Sequence, residues 1–196
     1  LYGDVTKLND LGEIKEIELM DGSTVTAKAV IIATGRDEKL LNVPGEQRYT
    51  GQGVSYCAVC DGAFFKDEEV AVIGGGNSAL EEAMYLTQFA KKVYIVIRRD
   101  VFRADEIVQQ QLAENDKIEV IRKHVPVEVT GENGKVCGIV LKNVETEEKM
   151  TLNVKAVFPY IGQDPGTSFV SHLDILDTQR YILADEHMAT KVPGVY

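Results

Sequence analysis

Two cysteines two residues apart, Cys57-Ala58-Val59-Cys60, carry the most specific chemistry in this chain of 196 residues, and Asp61-Gly62 follows them at once. Three uses compete for that spacing. A zinc site needs four ligands, and the other candidates, Cys137, His124, His172 and His187, form no second closely spaced pair. A purely structural bridge would close so small a loop that it gains little entropy. Reversible redox exchange is the favoured use. Asp61 can give and take protons as thiol and thiolate interconvert, or serve only as a turn or helix-capping residue. Cys137, inside Val136-Cys137-Gly138-Ile139, reads as a buried free thiol, and the three isolated histidines receive no catalytic role.

A second constellation starts at Gly74. The pattern Gly74-x-Gly76-x-x-Ala79 has the spacing of a dinucleotide-binding turn with alanine in the third place. Gly74 permits the tight strand-to-helix turn, Gly76 lets the backbone approach a pyrophosphate, and the small Ala79 lets helix and strand pack closely. The pyrophosphate would sit on the helix N-terminus, where unpaired N–H groups and the positive dipole end favour anions. The alternative is a glycine-rich turn that only connects packed elements. Where an NAD site carries Asp or Glu, the next strand here ends in Arg98-Arg99, and Arg103 follows. Planar, permanently charged guanidinium groups suit the 2′-phosphate of NADP. The alternative is a solvated basic turn paired with Asp100, Asp105 or Glu106.

Periodicity supplies the elements that must hold these residues. Val70-Ala71-Val72-Ile73 is a continuous apolar run of buried parallel-strand type, and it meets Gly74-Gly75-Gly76 directly. From Asn77, Ala79, Ala83, Leu86 and Ala90 recur at helical spacing, and Val93 to Ile97 forms a second buried strand, completing a β-turn-α-β unit. A helix over 104–114, a strand over 118–121 and a β-meander over 125–158, turning at 131–134 and near 145–148, are expected to complete this domain. Upstream, residues 2–33 read as a β-meander feeding a buried strand at Ala29-Val30-Ile31-Ile32. The aperiodic stretch 36–53 and the stretch 162–166 read as linkers. The expected class is α/β, a Rossmann-like domain over 39–162 (a parallel sheet with a β-meander crossover) flanked by partial segments 1–38 and 163–196 of another domain.

Composition is that of a globular protein, 44% hydrophobic and 27% charged. A net charge of −10 argues against a nucleic-acid or anionic-membrane surface, which needs clustered Lys and Arg. No window approaches the roughly 18 apolar residues of a membrane span, and no secretory signal pattern opens the chain. A cytoplasmic setting is expected. Both ends read as cut, the chain starting at Leu1 inside a strand-like run and stopping just after Val192-Pro193-Gly194-Val195.

Taken together, Ala33-Thr34-Gly35, Cys57-Ala58-Val59-Cys60-Asp61-Gly62, Val72-Ile73-Gly74-Gly75-Gly76-Asn77-Ser78-Ala79, Glu81-Glu82-Ala83, Arg98-Arg99-Asp100-x-Phe102-Arg103-Ala104 and Tyr160-Ile161-Gly162 closely resemble the bacterial-type, low-molecular-weight thioredoxin reductases. The resemblance covers essentially the whole chain. It implies an NADPH-binding domain inserted into an FAD domain, of which the flanks are pieces, and a homodimeric parent. It implies that NADPH gives hydride to FAD, the flavin reduces the cysteine disulfide, and the dithiol reduces thioredoxin. By motif, Cys60 would face the flavin, Cys57 would attack thioredoxin, and Asp61 would be the acid/base. Gly75, Gly76, Asn77, Ser78 and Glu81 would hold NADPH, with Ile161 and Gly162 closing over it; Thr34, Gly35 and Val5 would touch FAD. The family rotates its two domains so that nicotinamide and disulfide alternate at the flavin. Two departures stand out. Ile97 replaces a His common before the arginines, and the family's N-terminal and C-terminal FAD motifs are missing, so the fragment is not expected to hold FAD tightly or turn over. The competing functions are an isolated NADP-binding module and an NADH-dependent flavoprotein that reduces a peroxiredoxin; the arginine trio argues against the latter.

Overall fold

A computed structural model describes residues 3–196. The chain divides into two compact units, one formed by residues up to 37 together with 163–196, the other by 38–162.

In the first unit, β1 (Val5–Asp10), β2 (Lys15–Leu19) and β3 (Thr24–Ala27) form an antiparallel meander in that order. Leu8 from the first chain segment is buried with Val170, Ile175 and Val195 from the second, so neither segment owns the core. The buried Lys15 ammonium pairs with Asp10 at 2.8 Å, which satisfies a charge that burial alone would make costly. The strand expected at residues 29–32 is reduced to one bridge, parallel, between Val30 and Val195. Among the described residues the run is paired along that side only, and Ile31 is 81% exposed. The unit's boundary carries β4 (Arg36–Glu38).

The second unit is three-layered. Its elements run α1 (Ala58–Asp61), β5 (Glu69–Ile73), α2 (Asn77–Leu86), β6 (Lys92–Val96), α3 (Glu106–Ala113), β7 (Ile118–Ile121), β8 (His124–Glu132), β9 (Lys135–Asn143), β10 (Lys149–Leu152) and β11 (Ala156–Pro159). Just beyond it, β12 (Gln163–Pro165) pairs with β4. A parallel sheet of order β11-β5-β6-β7 forms the middle layer. Side-chain alternation along each strand feeds both faces. Val70 and Val72 join Leu80, Ala83, Leu86 and Leu112 under the helices, whereas Ala71 and Ile73 join Val129, Ile139 and Leu141 of the antiparallel sheet β10-β9-β8. Full burial of a side chain such as Phe158 contributes about 1.5–3 kcal/mol. The β8–β9 hairpin turns through Asn133 and Gly134, both at positive φ (52° and 81°), the pattern of a two-residue type I′ turn.

Two further expectations need correction. Residues 156–159 do not continue the meander; they cross back to pair with β5, because a run buried on both faces is a central-sheet strand and not a half-exposed one. The aperiodic stretch 36–53 is likewise no loose linker. The buried Glu46 carboxylate accepts from the Leu41 and Asn42 N–H groups, each at 2.8 Å, and from the Tyr56 hydroxyl at 2.9 Å.

Candidate functional site

At the C-terminal end of β5 the chain turns through Gly74, whose φ of 146° lies outside the range favoured by residues with a Cβ. Space forbids a side chain as firmly as the backbone does: a Cβ here would stand 2.2 Å from the Tyr160 carbonyl oxygen and 3.1 Å from the Ala79 Cβ. Gly76 differs. It opens α2 in extended geometry, and a Cβ on it would meet nothing within 4 Å, so the space in front of the helix N-terminus is clear. Unpaired N–H groups in front of clear space form an anion site.

A cavity of about 390 Å³ adjoins this turn. Gly74, Gly75 and Ile161 line it together with Arg98, Arg99 and Arg103. Two of the acidic neighbours are engaged elsewhere: Asp100 pairs with Lys123 at 3.7 Å, and Asp105 bonds Asn77. Among the described residues none of the three guanidinium groups has an ion-pair partner, so all three can serve an anion. Arg103 is held in place by its own N–H, which donates to the Gly75 carbonyl at 2.7 Å. Ile97, which packs against Gly75, gives the cavity an apolar wall, continued by Leu41, Val101, Val125 and Pro126.

Cys57 and Cys60 are joined as a disulfide, with Cα atoms 5.3 Å apart. Cys57 caps the short helix α1, its Sγ accepting from the Cys60 N–H at 3.1 Å. A backbone donor aimed at Sγ favours the thiolate once the bond is opened. Ser55 fastens the entry to the loop, accepting from the Cys57 N–H at 3.1 Å, and the Asp61 N–H donates to the Cys57 carbonyl at 3.1 Å. Cys60 is exposed, and beside the pair Val59 and Phe64 are 61% and 80% exposed. The Tyr160 hydroxyl accepts from the Ala58 N–H at 2.8 Å, and burial first of all pushes its pKa up to about 12. Glu82 on α2 has a buried Oε2 without a hydrogen-bond partner, and its pKa is raised by burial and then by the neighbouring charge of Glu81.

The remaining candidates divide by position. Ser78 and Glu81 lie exposed on α2 away from the cavity lining, and the Asn77 side chain is occupied by Asp105. Gly162, at φ 116°, accepts from the Lys39 N–H at 3.0 Å. Val5, Thr34 and Gly35 belong to the other unit, where the Gly166 N–H donates to the Gly35 carbonyl at 3.1 Å. Two residues to which the sequence assigned no role join these sites. His124 lines the arginine-walled cavity, its Nδ1 2.6 Å from the Arg122 carbonyl, and Tyr160 reaches the disulfide loop. Cys137 is half-exposed, not buried: the alternation that turns Val136 into the core turns Cys137 outward, into a hollow shared with Asp61, Phe64 and Phe65. Among the described residues no group of three or more His, Cys, Asp or Glu gathers as for a metal ion, and no helix is long and apolar enough to cross a membrane.

Comparison with known proteins extends this picture. The family model for pyridine nucleotide-disulphide oxidoreductases matches residues 2–196. Thioredoxin reductases of Listeria monocytogenes and Bacillus subtilis are 42% and 43% identical over 195 residues, covering all of this chain and 61% of each relative. The chain thus spans about three-fifths of the length of these curated relatives. The crystal structure of Lactococcus lactis thioredoxin reductase (FR conformation) matches all of this chain over 64% of its own length, at 46% identity and a TM-score of 0.86. That of the Streptococcus pyogenes thioredoxin reductase matches at 46% identity and a TM-score of 0.83, again over 64% of its length. With a glycine turn, an arginine-lined cavity and a disulfide closed across two intervening residues in one matched fold, the chain belongs to the pyridine nucleotide-disulphide oxidoreductase family.

Proposed function

We propose that this chain supplies the nicotinamide-nucleotide and disulfide portion of a thioredoxin-disulfide reductase, in which electrons pass from NADPH through FAD to Cys57–Cys60 and on to thioredoxin. The observation that carries the reading is the presence, within one unit, of an exposed two-residue-spaced disulfide and a glycine turn facing three unpaired arginines.

The residues fit NADPH. Arg98, Arg99 and Arg103 bind the 2′-phosphate, the α2 N-terminus takes the pyrophosphate across Gly76, and Ile161 bounds the cavity near the strand ends. For FAD the described residues offer only the exposed Thr34–Gly35 corner and Val5, without a second glycine-rich strand–turn–helix. When bound, a flavin relays two electrons from nicotinamide to disulfide; the rest of the reaction belongs to this chain's own side chains. Opening the disulfide with two electrons leaves two sulfurs, of which Cys57 keeps the Cys60 N–H as a stabilising donor. The Cys57 thiolate attacks one sulfur of the thioredoxin disulfide, forming a mixed disulfide and expelling the other sulfur as a thiolate. The Cys60 thiolate then attacks Cys57, which restores the Cys57–Cys60 bond and releases the partner's second sulfur. Asp61 handles the protons that leave Cys60 and reach the expelled sulfurs. Exposed Val59 and Phe64 give the partner an apolar landing beside the disulfide.

The test uses the full-length parent: NADPH oxidation, followed at 340 nm, should depend on added oxidised thioredoxin, and Cys60→Ser should abolish it. A Cys60→Ser parent that retains full turnover refutes the proposal.

A further inference from the structure

Tyr160 stands where the two chemistries of this unit meet. It directly follows β11, and its N–H donates to the Ile73 carbonyl at 2.7 Å, fixing its backbone beside the end of β5. Its carbonyl oxygen fills the space that any side chain at Gly74 would need. From that backbone the phenol reaches the redox loop, and its oxygen accepts from the Ala58 N–H at 2.8 Å across 102 residues of sequence. The other hydrogen bonds of Cys57–Asp61 among the described residues are local, coming from Ser55, Cys57 and Cys60 themselves or from the turn of α1. Ala58 is fully buried, so its amide has no water to turn to.

We infer that Tyr160 is a positioning residue for the cysteine pair, holding the loop in its disulfide-bonded geometry against the dinucleotide turn and so favouring the oxidised form of the Cys57/Cys60 couple. This rests on the redox role proposed above. The argument is one of unpaired donors: without the phenol oxygen, the closed loop carries a buried N–H with no acceptor, whereas opening the disulfide removes the covalent constraint that holds that amide in place. The couple is two-electron: disulfide plus two electrons and two protons gives the two thiols, and the external dithiothreitol pair supplies or accepts both.

The experiment compares the chain with Tyr160→Phe in buffers of graded reduced and oxidised dithiothreitol, quenched by alkylation and counted by intact mass. Cys137 adds the same label to every species. The expected result is that the equilibrium constant for oxidising the variant falls about tenfold, a midpoint ~30 mV less negative, while NADP affinity measured by calorimetry stays within about twofold. Coincident midpoints for variant and parent sequence overturn the inference and leave the redox reading standing. If the unaltered chain shows no reversible couple, the redox reading itself fails and the inference with it. A measurement that needs no variant decides the matter should Tyr160→Phe fold poorly: the Ala58 amide exchanges with deuterium at least about tenfold more slowly in the oxidised chain than in the reduced one, and equal rates overturn the inference.

Discussion

Asn77 and Asp105 exchange two hydrogen bonds, the Asn77 amide donating to Asp105 Oδ2 at 2.8 Å and the Asp105 N–H donating to Asn77 Oδ1 at 2.7 Å. The pair ties the first residue of α2 to the residue that opens α3, and with the Arg103–Gly75 bond it anchors the backbone that carries Arg103. On the proposed NADPH reading, Asn77 would act on the nucleotide through its neighbours. Asn77→Ala should lower stability by about 1 kcal/mol, since the pair is exposed, and weaken NADP binding by about three- to tenfold. Thermal melts and calorimetry check both.

Two glycines two residues apart should fail in opposite ways. Gly74→Ala forces a Cβ into the Tyr160 carbonyl at a positive φ and should cost about 3 kcal/mol, a Tm fall of roughly 6–12 °C. Gly76→Ala meets open space and should fold normally, yet lose at least about tenfold in NADP affinity because the methyl group stands where the pyrophosphate must approach.

The arginine trio predicts discrimination between cofactors. Alanine at Arg98, Arg99 or Arg103 should each weaken NADP binding by about 10–100-fold and change NAD binding by less than about twofold, since NAD lacks the 2′-phosphate. His124 belongs in the same titration series. With Nδ1 turned to the Arg122 carbonyl, its Nε2 is the ring nitrogen left for a ligand, and His124→Ala should weaken NADP by about threefold or more.

Glu82 makes stability depend on pH. Burial and the charge of Glu81 raise its pKa, so the folded chain keeps this proton to higher pH than the unfolded chain does. Its effect is nil below the ordinary carboxylate range and becomes destabilising as pH rises through the raised folded value. Glu82→Gln should therefore raise Tm at pH 7 by about 1–3 °C and leave it nearly unchanged at pH 4. Equal gains at both pH values would contradict this account.

Local chemistry made much of the second unit legible. The run Val70–Ile73 ending on a triple glycine can hardly be anything except a buried strand meeting a turn, and the spacing of Ala79, Ala83 and Leu86 defines the face that α2 buries. Pairing was harder to read. Whether an apolar tetrapeptide becomes a central strand depends on neighbours distant in sequence, so Ala156–Pro159 joined β5 while residues 29–32 obtained a single bridge. The same limit hid Tyr160 and His124. A lone histidine carries no spacing signal, and the Tyr160-Ile161-Gly162 motif drew attention to its last two residues; only the parallel topology brings the tyrosine to the disulfide loop and the histidine to the arginines. Glu46 was hidden differently: a lone acid in an aperiodic stretch gives no hint that three donors will converge on it.

The Lys39–Gly162 hydrogen bond carries a consequence for the order of assembly. The second unit is one continuous stretch, and that bond holds its two ends 3.0 Å apart, N to O. The first unit is split, its core requiring Leu8 from one segment and Val170, Ile175 and Val195 from the other. Before the second unit folds, joining those segments means closing a loop of about 125 residues, and each doubling of such a loop costs about 0.6 kcal/mol in entropy. Once it has folded, the same junction is no wider than a hairpin. On the ribosome, residues 38–162 emerge complete before the last segment does, so the interrupted unit inherits a closed clasp in place of a long-range search.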